Sequence, residues 1–129
     1  MLAVDTNVVV RFLTADEPLQ AERARTIFKQ QAVLLPKTVL LEAEWVLRSS
    51  YRFDRSHIAD AFTPLLGLPT VICEEVSAVS DAIRWMRRGL DFADALHLAS
   101  ARPAGSFATF DGDLVNRAAK VTDITVIRA

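Results

Sequence analysis

Residues 1–7 read Met1-Leu2-Ala3-Val4-Asp5-Thr6-Asn7, a short apolar run broken by a carboxylate, after which Val8, Val9, Phe12 and Leu13 fall at helical spacing. Residues 107–111 repeat the arrangement, with Phe107-Ala108-Thr109-Phe110 running into Asp111 ahead of Leu114, Val115 and Ala118. An apolar run too short for a helix, opening directly onto a helical pattern, reads as a strand buried in a parallel sheet. Working outward, Ala32 to Leu35, Thr70 to Cys73 and Ile124 to Ile127 are further strand candidates. Between them lie the helical patterns Pro18 to Phe28, Thr38 to Tyr51, Asp54 to Leu66, Val76 to Arg88 and Asp91 to Arg102. Asp54 or Ser56 caps one start, Gly67 and Gly89 end two helices, and Pro103 is expected to end another. The alternation predicts an α/β fold with a mainly parallel central sheet of about five short strands between helices.

The chain of 129 residues shows no repeat or linker and is expected to form a single domain over residues 1–129. Fifteen Lys+Arg against sixteen Asp+Glu leave a net charge of -1, so nucleic acid would have to be held by a local patch. The single cysteine, Cys73, excludes a disulfide framework and fits a small buried side chain in a reducing, cytoplasmic setting. The longest apolar stretch, Phe62 to Cys73, carries prolines and falls short of a membrane span. Asp5 interrupts the only candidate leader. The high apolar fraction suggests a surface buried against a second copy.

In a parallel sheet the carboxyl ends of the strands share the edge where ligands bind, which would place Asp5 and Asp111 at one pole. Each equally suits the N-cap of the helix that follows. Glu42 lies between Val39 and Val46 and is expected within the apolar stripe of its helix, where a carboxylate needs a cation or a proton. Glu44, four residues before Arg48, is expected to pair with it on a solvated face. Asp91 suits a helix cap, whereas Asp94 shares a face with Leu90 and Leu98 and is assigned to a site. Asp5, Glu42, Asp94 and Asp111 in one pocket would repel one another unless a hard divalent cation, Mg²⁺ or Mn²⁺, neutralised them. Such an ion suits attack of water on a phosphodiester.

The ordered set Asp5-Thr6-Asn7, the helix from Val39 to Leu47, Asp91-Phe92-Ala93-Asp94-Ala95-Leu96-His97-Leu98-Ala99 and Ala108-Thr109-Phe110-Asp111 resembles the PIN domain. More narrowly, it resembles the VapC ribonuclease toxins of bacterial toxin–antitoxin pairs. The resemblance spans essentially the whole chain. It implies an α/β/α sandwich and an endoribonuclease dependent on Mg²⁺ or Mn²⁺, with Asp5 and Asp94 as main ligands. Glu42 would be a ligand or water-positioning base and Asp111 the fourth acid, with Asp113 as its substitute. It also implies an RNA substrate, a homodimer, and a cognate VapB-type antitoxin through whose complex alone operator DNA is bound.

Twelve of the fifteen basic residues are arginine, with Arg48, Arg52 and Arg55 near one helix end and Arg84, Arg87 and Arg88 near another. Either cluster suits RNA or simply a helix C-terminus. His97 is read as structural, His57 as a surface residue, and Trp45 and Trp85 as core or dimer contacts. Two other function classes compete: a PIN-like RNA- or protein-binding module without catalysis, and a phosphoryl-transfer domain. The second is disfavoured because Asn7 stands two residues after Asp5 and no lysine ends a late strand.

Overall fold

The computed structural model describes residues 1–129. The chain divides into two compact units, Met1–Val76 and Ser77–Ala129. The first contains β1 (Leu2–Ala3), α1 (Thr6–Thr14), α2 (Pro18–Gln30), β2 (Val33–Leu35), α3 (Lys37–Ser49), α4 (Arg55–Leu66) and β3 (Val71–Cys73). Its strands form a parallel sheet in the order β1-β2-β3, with Leu2 beside Val33 and Leu34 beside Ile72. α1 packs on α2 and α3, and α4 on α3 and β3. Val9, Leu35, Leu40, Leu47 and Phe62 are fully buried. Phe12 and Phe28 bring α1 and α2 together with ring centroids 4.3 Å apart.

The second unit takes α5 (Val76–Arg87), whose first residue lies at the boundary, then α6 (Phe92–Ser100) and a 3₁₀ turn at Arg102–Ala104. β4 (Phe107–Thr109), α7 (Gly112–Val121) and β5 (Val126–Arg128) follow. β4 and β5 pair in parallel and α7 packs on both. The expected α/β class with parallel strands is therefore found, with five strands in a three-stranded and a two-stranded sheet. Gly89, at φ +104°, lets the Leu90 amide turn back to the Trp85 carbonyl and stops α5. Arg102 ties this unit together, donating to Asp123 and Asp81 at 2.7 Å each with its guanidinium 5.6 Å from the Trp85 ring centroid.

Several element ends and faces differ from the sequence reading. α6 stops at Ser100 and not at Arg102, because the residue before a proline disfavours the α conformation and Pro103 closes a 3₁₀ turn instead. On α3 the buried face is Leu40, Ala43, Glu44 and Leu47. Glu42 therefore projects to solvent and lies outside the apolar stripe, while Glu44, expected on a solvated face, is only 3% exposed. Its pairing with Arg48 does form, at 2.9 Å, and supplies the cation that a buried carboxylate needs. Trp85 is buried, but Trp45 is 57% exposed and does not belong to the core. Cys73 is half-buried and free, its thiol pushed up to about 11 by burial and by the neighbouring Glu74 charge. No helix is long and apolar enough to cross a membrane.

Candidate active site

Asp5 follows β1 and takes extended backbone angles, so its carboxylate turns onto the first turn of α1 and accepts the Val8 amide at 3.2 Å. It is the N-cap the sequence allowed, and it stays exposed, with Oδ2 free of intramolecular bonds. One residue on, the buried Thr6 donates its hydroxyl to the Glu42 carboxylate. Thr6 thereby fixes an acid of α3 from the start of α1. This pairing was invisible in the sequence, because 36 residues separate the partners.

The second unit places its acids at helix starts as well. Asp91 caps α6, accepting the Asp94 amide at 3.2 Å. Asp111 caps α7, accepting the Asp113 amide at 3.0 Å and the Leu114 amide at 3.2 Å through one oxygen. A cleft of about 190 Å³ is lined by Leu90, Asp91, Asp94, Asp111, Asp113 and Arg117. Asp94 is half-buried there, and burial holds its carboxyl above the usual range. The charges of Asp91 and Asp111 push the same way, while the exposed His97 pulls it down. Asp91, read from sequence as a cap alone, and Arg117 are thus additional members of this cleft. His97 lies exposed on α6, one turn from Asp94.

Four carboxylates around one small cleft, one of them partly desolvated, make a concentration of oxygen donors suited to a hard cation. Within neither unit do three or more His, Cys, Asp or Glu side chains gather closely enough to enclose a metal by themselves. The cleft thus offers an ion no more than one or two carboxylates at a time, a number that a hard cation accepts only if water and substrate oxygens complete its shell. The arginine clusters are largely engaged elsewhere. Arg84 pairs with Asp81 at 3.0 Å, Arg48 with Glu44, and Arg88 donates to the Val121 and Lys120 carbonyls at the end of α7.

Parallel strands running into carboxylate-capped helices, with an acidic cleft at one such cap, define an α/β protein built to present acids. The PIN-domain family model matches residues 2–120, and the chain belongs to the PIN-domain family. Among solved structures it is similar to the crystal structure of Mycobacterium tuberculosis VapC20, described as a Sarcin-Ricin loop cleaving toxin. That similarity is 21% identity over 97% of this chain and 99% of that one, at a TM-score of 0.45. No curated protein matches.

Proposed function

We propose that the chain is an endoribonuclease dependent on Mg²⁺ or Mn²⁺ and the toxin of a VapC-type pair, held inactive by a VapB-type antitoxin. Family membership and the ordered motifs support the class. The observation that carries the reading is the cleft that brings Asp91, Asp94, Asp111 and Asp113 together with Asp94 half-buried in its wall. A carboxylate kept among like charges gains most from a dication. Asp94 and Asp111 would hold the ion, with Asp113 able to replace Asp111, and a bound dication supplies a Lewis acid beside the scissile phosphate. Asp5 is assigned as a further ligand and Glu42 as a ligand or the base that positions water, its carboxylate oriented by Thr6. The exposed Trp45 is assigned to the homodimer contact. We place the protein in the cytoplasm, with operator DNA reached only through the antitoxin complex.

Purified protein incubated with RNA and Mn²⁺ should give discrete cleavage products that EDTA abolishes. Asp5→Ala or Asp94→Ala protein that cleaves as well as the parent would refute the assignment. Calorimetric titration with Mn²⁺ in the absence of RNA separates the alternatives, since a binding module without catalysis has no use for the ion.

A further inference from the structure

The first unit holds a cleft that opens beside Asp5 and whose other residues the acids' chemistry does not use. It lies between the start of α1 and one side of α2, measures about 310 Å³, and is lined by Asp5, Asn7, Gln20, Arg23, Ala24 and Ile27. Ala24 is buried and Ile27 half-buried, so part of its wall is apolar, while Asn7, Gln20 and Arg23 are exposed along it. The volume is at the lower end of the range of about 300–1,000 Å³ for ligand clefts, room for one small planar group and far too little for a duplex.

The polar groups are in distinct states. Arg23 makes no hydrogen bond or ion pair, unlike Arg11, Arg48, Arg84 and Arg102, each of which meets a carboxylate. Asn7 likewise leaves its amide unengaged. Gln20 is oriented: its Oε1 accepts Arg11 Nε at 2.8 Å, and Arg11 is itself fixed by the Tyr51 hydroxyl at 2.8 Å and Asp16 at 3.3 Å. With that acceptor occupied, Gln20 has its two Nε2 protons left to offer.

We infer that this cleft receives one nucleotide of the RNA substrate, with Arg23 paired to its phosphate and Asn7 and Gln20 on the base edge. The inference rests on the nuclease reading and names a substrate subsite for it. A free inorganic anion would use the guanidinium alone and leave the apolar wall and the Gln20 donors idle. A nucleotide instead sets its phosphate on the guanidinium, which suits phosphate geometry, and its base against Ala24 and Ile27. The donors left on Gln20 match the keto oxygen of guanine or uracil.

The test uses the full chain and fluorescein-labelled single-stranded RNA oligonucleotides, one of mixed sequence and one containing only adenine and cytosine. Binding is followed by anisotropy in EDTA over a range of salt, and cleavage sites are mapped separately with Mn²⁺. Arg23→Ala should weaken binding of the mixed oligonucleotide by roughly five- to tenfold and lower the log–log salt slope by about 0.7, the share of one phosphate contact on a single strand. Arg23→Lys should retain the slope. Arg25→Ala, which removes the same charge from α2 but outside this cleft, should change binding less than about twofold. Gln20→Glu, which keeps an acceptor for Arg11 and loses the donors, should abolish the preference in binding for the mixed oligonucleotide over the one of adenine and cytosine alone. Alanine suits a helix interior, so the Arg23 variant should fold, which circular dichroism checks. Equal effects of Arg23→Ala and Arg25→Ala would overturn the subsite, and would leave the nuclease reading standing if cleavage persists. Loss of binding specific to Arg23 in a protein that cuts no RNA would uphold the subsite and overturn the nuclease reading.

Discussion

Asp111 performs two tasks that a pair of substitutions separates. One oxygen accepts the Asp113 and Leu114 amides and caps α7, while the charge lines the acidic cleft and lifts the Asp94 carboxyl. Asp111→Ala removes both roles. Asp111→Asn keeps an oxygen that can cap and removes the charge, and Asn ranks with Asp as a helix N-cap. Loss of the cap costs about 1 kcal/mol. α7 packs on both strands of its sheet, so the loss should register in unfolding of that unit. With a urea m-value of about 2 kcal/mol per M, the midpoint should fall by about 0.5 M in the alanine variant and by under about 0.2 M in the asparagine variant. Activity should divide differently. Outer-shell partners of metal ligands already cost about 10–100-fold on mutation, so both variants should lose RNA cleavage by about 100-fold or more. The assays are urea denaturation followed by circular dichroism, and cleavage of labelled RNA with Mn²⁺. If asparagine restores cleavage to the parental rate as it restores stability, Asp111 is a cap and nothing else, and its place in the catalytic set is wrong.

The raised Asp94 carboxyl keeps its proton to a higher pH than an ordinary aspartate, so binding of Mn²⁺, which must displace that proton, should weaken on the acid side above the usual value of 3.8; Asp91→Asn, which removes the larger like-charge contribution, should move that weakening to lower pH in calorimetric titrations across pH. Arg48→Ala strands the buried Glu44 carboxylate and should destabilise by about 2 kcal/mol, less than for a fully buried pair because Arg48 itself is partly in water; Glu44→Gln in the same chain should recover part of the loss in urea titrations. Because the folded Cys73 thiol is raised from 9.0 to about 11, the native state holds its proton longer than the unfolded chain, so stability should decline as pH rises through that window. For the same reason, native Cys73 should be alkylated near pH 8 about 10- to 100-fold more slowly than the denatured chain, a ratio read directly from thiol-reagent kinetics.

Much of the local structure was legible because its signals are local. Asp54 caps α4 through the His57 amide, Gly67 follows its last turn, and Pro18 opens α2, each as the residue type requires. Asp5 and Asp111 were legible as strand-end acids and proved to be helix caps as well, one set of backbone angles serving both descriptions. α3 misled because Val39, Leu40, Leu41, Trp45, Val46 and Leu47 place apolar groups around nearly the whole cylinder, leaving few polar residues to phase its buried side. Its carboxylates were exchanged as a result: Glu44 went inside with Arg48 in attendance, and Glu42 went out to Thr6. The division of strands into three and two depends on pairings between distant segments, which no local pattern encodes. The Gln20–Arg11–Tyr51 connection was hidden for the same reason.

None of the five strands exceeds three residues. A ladder that short is fastened by so few amides that neither sheet would hold together alone, since even full-length hairpins are marginal in water. The strands act as fixed starting posts from which loops and helices are launched, and cohesion within each unit falls to the interlocking helical side chains. Swaps among Val, Ile and Leu at the exposed strand positions Ile72 and Ile127 should therefore pass with little consequence, whereas Val33 and Leu35 belong to the core. Inserting one residue between β1 and Asp5, or between β4 and Asp111, would redirect an acid while barely disturbing the molecule's resistance to heat.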